Sequence, residues 1–394
     1  MIGSMGEISV LFISHERKMG GANLSLFELA CEMKKKGVKV YVAVLYRGCP
    51  IDIRLRSAGI ETVPCIFGWW QQPADWNMLY KGAFRILHSI QFFTVKKLCR
   101  FIRQKNIGIV HSNSSTIDIG VQAAKITNCK HIYHFREFGY YDYNLEYIFD
   151  RRNAETYINN NSSINIFISK ALAETYNNIT NKVVIYDGIA ADCFISNDKK
   201  RTDGVVHFLV SGNLISGKNQ KIVLEAAAIL NQNGFKDKFF VSIAGTSTDL
   251  KESQKYEKEL KQIKEEKYLE NVEFLGYVTN MKKLREDVDA EIVPSLCEAY
   301  GRVTIEAMAA RHIVIVSDGG ANTELIEDGV TGLVFEKDNI LDLAEKMTYV
   351  INNNIECRHM ADKAYEYAGT RHVYEKNAQQ IYEIYKGILL ENEK

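Results

Sequence analysis

Over residues 294–335 the chain reads PSLCEAYGRVTIEAMAARHIVIVSDGGANTELIEDGVTGLVF. A strand end, a tight loop, a helix, a second strand and a glycine turn follow one another without a spacer. When a short apolar run returns directly after a helix, the usual solution is two parallel strands bridged by that helix. The same alternation runs through most of the chain. Short apolar runs at 10–14, 38–45, 60–66, 109–110, 130–133, 164–169 and 183–186 are predicted strands. LSLFELACEMKKK, ending at Gly37, is a predicted helix, and 55–59 a short one. After a polar, aperiodic stretch at 192–203 the pattern restarts, with strands at 206–211, 239–244, 271–275 and 290–293. Helices are expected at 221–231, at 281–287 and over a charge-dense, solvated 251–270, and the chain is helical from Leu341 onward. The expectation is an α/β protein of two separately built domains, 1–190 and 204–375, with a linker at 191–203 and a closing helix at 376–394.

Composition narrows the partners. Apolar residues make up 46% and charged residues 25%, and 49 Lys and Arg balance 49 Asp and Glu. Without a basic excess, nucleic acid is not an expected partner. The 8 cysteines are scattered with no CxxC pair, so neither structural zinc nor a disulfide framework is expected. No segment approaches the ~20 uninterrupted apolar residues of a spanning helix. The opening MIGSMGE has no apolar run of signal-peptide kind, and a cytoplasmic location is expected.

Residues 69–105 stand apart. Trp69, Trp70, Trp76, Tyr80, Phe84, Phe92, Phe93 and Phe101 alternate with Lys81, Arg85, Lys96, Lys97, Arg100, Arg103 and Lys105. Between Trp76 and Ile117 there is no Asp or Glu. Two readings stay open. One or two helices pack these aromatics on a sheet and leave the bases in water. Alternatively, the segment is a basic, aromatic surface that meets anionic lipid headgroups or a phosphorylated lipid acceptor at the membrane.

Candidate chemistry concentrates in 294–335. Glu298 falls in the loop, Glu306 eight residues on in the helix, and Gly301 between them. A helix start offers free N–H groups and a positive dipole end, which suit a phosphate or a sugar hydroxyl. Ala299, Tyr300, Gly301, Arg302 and Val303 are placed to supply such donors, with Ser295 at the strand end. A carboxylate accepts paired hydroxyls, so Glu298 and Glu306 can serve two polyol groups of one ligand. The competing reading makes Glu306 a surface acid, although its neighbours in IEAMAA are mostly apolar.

Gly212-Asn213-Leu214, followed by Lys218 at a helix start, forms a candidate pyrophosphate clamp with Lys as the point charge. The GxxxxGK[ST] pattern is absent, and Gly20-Gly21 is not a GxGxxG turn, so a dinucleotide cofactor loses its main support. His134, in HFREFG, is expected just beyond a strand end, where open α/β sheets bind ligands; it is either a structural histidine or, if it faces a cleft between the domains, a partner for a sugar hydroxyl.

Taken in order, these segments resemble the retaining glycosyltransferase family 4 of GT-B fold over nearly the whole chain. Its E-x7-E motif is met by Glu298 and Glu306 in EAYGRVTIEAMAA. SDGGANTELIEDGVTGLVF looks like the strand and glycine turn that follow, and NVEFLGYV like the segment that cradles the nucleotide base. GGANLSLFELA is similar to the first glycine loop, and FISKALAETY with VIYDGI to the end of the N-terminal domain. The resemblance implies two Rossmann-like domains facing across a cleft, with the final helix packing back on the first. It implies a nucleotide-sugar donor, first of all a UDP-sugar, and a lipid-linked or saccharide acceptor in cell-surface polysaccharide or glycolipid synthesis. Glu306 would bind the donor ribose, Glu298 with the backbone of 299–303 the sugar and phosphate, and Lys218 the diphosphate. Gly20 and Gly21 would admit a phosphate or the acceptor, His134 would contact the transferred sugar, and backbone at Gly276, Tyr277 and Val278 would meet the base. No metal and no further cofactor are implied.

Two positions depart from the family. Asn213 stands where an Arg is common, with Arg302 as a candidate substitute, and Asp187 replaces the usual Asn of an NG turn, as a residue able to take the left-handed conformation. A nucleotide-sugar epimerase or phosphorylase on the same fold, and a non-catalytic scaffold, are the alternatives.

Overall fold

The computed structural model describes residues 7–89, 91–195 and 204–390, which leaves most of the expected linker outside the described residues. The chain divides into two compact units. One runs up to Gly188 and resumes at Tyr374; the other is Ile189–Val373.

The first unit carries β1 (Ser9–Ile13), β2 (Lys39–Val44), β3 (Glu61–Pro64), β4 (Gln71–Pro73), β5 (Ile109–Ser112), β6 (Lys130–Phe135), β7 (Leu145–Tyr147), β8 (Ile164–Phe167) and β9 (Lys182–Val184). Seven of these form a parallel sheet in the order β3-β2-β1-β5-β6-β8-β9. All of β1, SVLFI, is buried, as a strand covered on both faces requires. Because side chains alternate across a strand, Val10 and Phe12 face the Gly21–Lys35 and Tyr374–Leu390 helices. Leu11 and Ile13 face the Phe92–Lys105 helix instead.

Sequence periodicity did not anticipate β4, which pairs antiparallel with β7 outside the main sheet. Each has three residues, too few for a period to register. Within 69–105 the aromatics divide between buried and exposed. Trp70 is buried, while Phe92 and Phe93 at the start of the Phe92–Lys105 helix are exposed.

The second unit is a parallel sheet of β10 (Val206–Ser211), β11 (Phe239–Ala244), β12 (Val272–Gly276), β13 (Ala290–Val293), β14 (Ile313–Ser317) and β15 (Leu333–Phe335), in the order β12-β11-β10-β13-β14-β15. Its core joins Phe208, Val210, Val241, Ile243, Ile292 and Ile315 to helices on the sheet. The charge-dense helix is Lys251–Glu266, shorter than expected, and it is not solvated all round. Ser253, Tyr256, Leu260 and Ile263 recur at helical spacing and bury one face. In this sheet β10 lies between β11 and β13, so successive connections leave in opposite directions. Open α/β sheets bind ligands at such a switch point, beyond the strands' carboxyl ends. No helix among the described residues is long and apolar enough to cross a membrane.

Candidate active site beyond β10 and β13

The loop after β10 is set by two glycines. Gly212 takes φ of 140° and Gly245, after β11, takes 152°, values that L side chains rarely adopt. A Cβ on Gly245 would stand 1.8 Å from the Gly212 carbonyl oxygen, so backbone meets backbone here. The chain then makes a 3-10 turn at Ser216–Lys218 before the Gln220–Gln232 helix. Lys218 therefore precedes the helix rather than opening it.

The loop after β13 is held on both flanks. Leu296 N–H donates to Gly217 O at 2.9 Å, and Ala321 N–H donates to Glu298 O at 2.7 Å. Beneath it lie Gly319 and Gly320. A Cβ on Gly319 would fall 2.4 Å from Leu296 O, and one on Gly320 2.3 Å from Glu298 O. Only residues without a Cβ let these segments lie so close. The outcome is that Lys218 Nζ donates to Glu298 Oε1 at 2.5 Å, and the buried Ser295 Oγ donates to the same oxygen at 2.6 Å. A cation and an acid thus stand together where the sheet's topology puts a ligand.

Gly301, with φ of 93°, caps the Arg302–Ala309 helix. Its missing side chain leaves room for Leu325, Thr304 and Asn322, which would lie 3.0–3.2 Å from a Cβ. Tyr300 is buried, its hydroxyl 3.1 Å from His372 Nδ1. Ala299, Arg302 and Val303 stay partly exposed.

Glu306 is not in apolar surroundings. Arg285 Nη1 donates to Oε2 at 2.8 Å and Arg302 Nε to Oε1 at 2.7 Å. Arg302, the candidate substitute for a cation at 213, is thus held by Glu306. Asn213 is exposed, and its carbonyl accepts from Gln220 Nε2 at 2.9 Å. Gly276 ends β12 with φ of 68°, followed by exposed Tyr277 and half-buried Val278. Among the described residues no group of three or more His, Cys, Asp and Glu is arranged to hold a metal ion.

In the first unit the structure corrects two expectations, the placement of His134 and the backbone of Asp187. His134 lies inside β6, not beyond it, and is fully buried. Its Nδ1 is 3.2 Å from His111 Nε2 and 3.3 Å from Arg136 Nη2, and burial holds its pKa well below the usual histidine value. The strand runs two residues further than its apolar run because the ladder to β8 continues through His134 and Phe135, with His134 Nδ1 meeting His111 and Arg136 inside the unit.

Asp187 is not left-handed. Its carboxylate pairs with the buried Arg136, so the acid answers a charge rather than a turn. Gly20 is the N-cap of the Gly21–Lys35 helix, and a Cβ on it would lie 2.8 Å from Glu16 Oε2. The anion against this helix start is the chain's own, with Asn23 N–H donating to Glu16 at 3.3 Å. Burial raises the Glu16 carboxyl against the pull of Asn23 and Arg136. Glu16, Arg285, Gly245 and the Gly319-Gly320 contact were missed in the sequence. The SDGG pair alone carried a legible signal, two adjacent glycines directly after an apolar strand.

Two parallel-sheet, Rossmann-like units define the GT-B architecture. Residues 194–367 match the family described as "Glycosyl transferases group 1". The poly(ribitol-phosphate) alpha-N-acetylglucosaminyltransferase of Staphylococcus aureus is 27% identical over 179 residues, 44% of this chain and 35% of that protein. The lipopolysaccharide core biosynthesis mannosyltransferase LpcC of Rhizobium leguminosarum is 30% identical over 120 residues, 30% of this chain and 34% of that one. The chain spans about a third of the length of these curated relatives. Among solved structures, Anabaena Alr3699/HepE in complex with UDP and glucose superposes with a TM-score of 0.77 at 22% identity, covering 96% of this chain and 99% of that one. Staphylococcus aureus TarM gives 0.71 at 13%, covering 98% and 100%.

Proposed function

We propose that this protein is a retaining glycosyltransferase of family 4 type, transferring a sugar from a nucleotide-diphosphate donor, a UDP-sugar first of all, to a saccharide or lipid-linked acceptor. The observation that carries it is the Lys218–Glu298 pair beyond the β10/β13 switch point. Lys218 meets the negative charge that grows on the leaving diphosphate, a task that needs no metal ion. Glu298 is an acceptor for sugar hydroxyls, and the Gly301 turn with the N–H groups of 299–303 offers donors to the sugar and phosphate. Glu306 takes the ribose as the second acid of the E-x7-E motif. The acceptor hydroxyl attacks the anomeric carbon from the face the diphosphate leaves. The carbon–oxygen bond to phosphate breaks, and the hydroxyl proton passes to a phosphate oxygen.

Support for the donor comes from the UDP and glucose held by the HepE neighbour. The named activities of the relatives support a place in cell-surface polysaccharide or glycolipid synthesis. Membrane contact at the inner face belongs to the same reading. Met78 is 89% exposed, Leu79 85% and Phe93 73%, beside exposed Arg85, Lys96, Arg100 and Arg103.

Incubation with a panel of UDP-, GDP- and ADP-sugars, with and without EDTA, tests the proposal. Slow release of free sugar with the anomeric configuration retained, insensitive to EDTA, is the expected result. An epimerised donor, phosphate-dependent release of sugar phosphate, or no reaction with any donor would overturn it.

A further inference from the structure

The second unit contains a buried charge cluster that local sequence patterns do not reveal, and it ends at Glu306. Arg285 closes the Met281–Arg285 helix, with its side chain 6% exposed. Its guanidinium forks onto Glu291 of β13, Nε to Oε2 at 3.1 Å and Nη2 to Oε1 at 3.2 Å. Glu291 is fully buried and is fixed in turn by Ser211 Oγ at 2.6 Å and His312 Nδ1 at 3.3 Å. The other ring nitrogen of His312 lies 2.9 Å from the Arg285 carbonyl oxygen. Burial alone would raise the Glu291 carboxyl, but Arg285 and His312 outweigh it and hold it at about 2. The third donor of the fork, Nη1, is left pointing at Glu306 Oε2.

Two features of this arrangement bear on the ligand. A carboxylate has about four lone-pair positions. Arg285 and Arg302 each take one, on different oxygens, which leaves one position free on each oxygen for two adjacent O–H donors. The cluster also balances two guanidinium charges against two carboxylates, so it suits neutral hydroxyls better than a phosphate. An arginine already locked by a bidentate partner loses little further freedom when the ligand binds.

The geometry points to Arg285 as a positioning residue that, anchored by Glu291, sets the orientation of Glu306 and thereby the site's selectivity for a ribose cis-diol. This rests on the reading of Glu306 under the proposed function, and the test separates the two. Affinities for UDP, GDP and ADP and for their 2′-deoxy counterparts are measured by calorimetry on the wild type, Arg285→Lys and Glu291→Gln. Arg285→Lys keeps the charge but loses the fork; Glu291→Gln keeps the arginine but loosens its anchor, and serves if the first variant melts early.

The wild type is expected to prefer the ribonucleotide roughly tenfold to a hundredfold, the range of hydrogen bonds to a charged group. In both variants that ratio should collapse towards one through weaker ribonucleotide binding, with deoxynucleotide binding unchanged. Donor KM should then rise more than kcat falls. A folded variant that keeps the wild-type ratio overturns the role of Arg285 alone. A wild type that binds none of the nucleotides, or each pair equally, overturns the reading of Glu306 and this inference together.

Discussion

Lys218 Nζ lies 2.5 Å from Glu298 Oε1 across eighty residues of sequence, and the acid also accepts from Ser295 Oγ. The pair is assembled by backbone. Gly217 O, Gly319 O and Ala321 N–H fix the two loops, and the two side chains meet across them. On the proposed mechanism, Lys218→Ala takes the cation away from the leaving diphosphate. We expect kcat to fall about 10²–10³-fold, the usual cost of removing one preorganised group that stabilises developing charge. Steady-state donor turnover checks this, and activity within about threefold of wild type would refute the assignment.

Gly320→Ala tests the backbone contact separately. The new Cβ would stand 2.3 Å from Glu298 O at a φ of 68°, so the loop must move. A loss of roughly 1–3 kcal/mol in urea unfolding is expected, together with impaired turnover. Gly329→Ala is the control, since that glycine has φ of 73° but nothing within 4 Å of its Cβ position. It should show the conformational cost of about 1 kcal/mol and normal turnover. Equal behaviour of the two variants would mean that the close approach is unimportant.

Acid should destabilise the first unit early. His15 and His131 are held at about 3, and His111 and His134 well below 6.5, in each case mainly by burial. A histidine with a depressed folded pKa binds its proton more readily when unfolded. Its stabilising effect is complete above about pH 6.5 and is lost as the pH falls towards 3. Glu137 opposes this, because burial raises its carboxyl to about 7 despite the hydroxyls of Ser114 and Ser115. It favours the fold below about pH 4.5 and loses that effect as pH rises to 7. Glu16, whose carboxyl burial also raises, acts the same way as Glu137, but four histidines against two carboxyls decide the direction, so stability should drop between pH 6.5 and 5. Trp69, Trp70 and Trp76 are the 3 tryptophans of the chain and lie in this unit, so their fluorescence reports on it alone. A urea midpoint that is flat over this window would contradict the burial argument. Glu137→Gln should steepen the fall.

For the membrane surface, the informative variant is Phe92→Glu with Phe93→Glu. Both rings are exposed at the start of the Phe92–Lys105 helix, so the fold should tolerate the change. Sedimentation with phosphatidylserine-containing vesicles at low salt is expected to recover the wild type and to lose most of the variant. Each base near the surface is worth about 1 kcal/mol, and salt should weaken that contribution. Wild type that stays in the supernatant at low salt would remove the membrane from the proposal.

How much could be read in advance follows the range of the interactions. Phe239–Ala244 was legible to the residue, because a buried parallel strand is a largely apolar run between polar ends. Glu298 and Gly301 were legible through local spacing. The partners of Glu306 were not. Arg285 lies twenty-one positions away, at the end of a helix too short to show a face. Asp187 was misread for the same reason, since its meaning depends on Arg136, fifty-one positions earlier. His134 was misplaced because a strand predicted from apolar character stops where polar pairing begins. Patterns within a turn or a strand declare themselves, whereas charge pairs closed by topology do not.

The first unit is not continuous along the chain, and this matters during synthesis. Ala378, Ile381, Tyr385 and Ile388 of the Tyr374–Leu390 helix belong to its core, and the Tyr385 hydroxyl bonds to His111 Nδ1 at 2.7 Å. A nascent chain emerges amino end first. The stretch up to Gly188 therefore leaves the ribosome with the face of Val10 and Phe12 covered by the Gly21–Lys35 helix but still lacking the Tyr374–Leu390 helix. It must wait for all of Ile189–Val373 to be made before its last helix arrives. Of the two units, the one begun first is thus the last to be completed, and a chain cut short before Tyr374 would carry an open core.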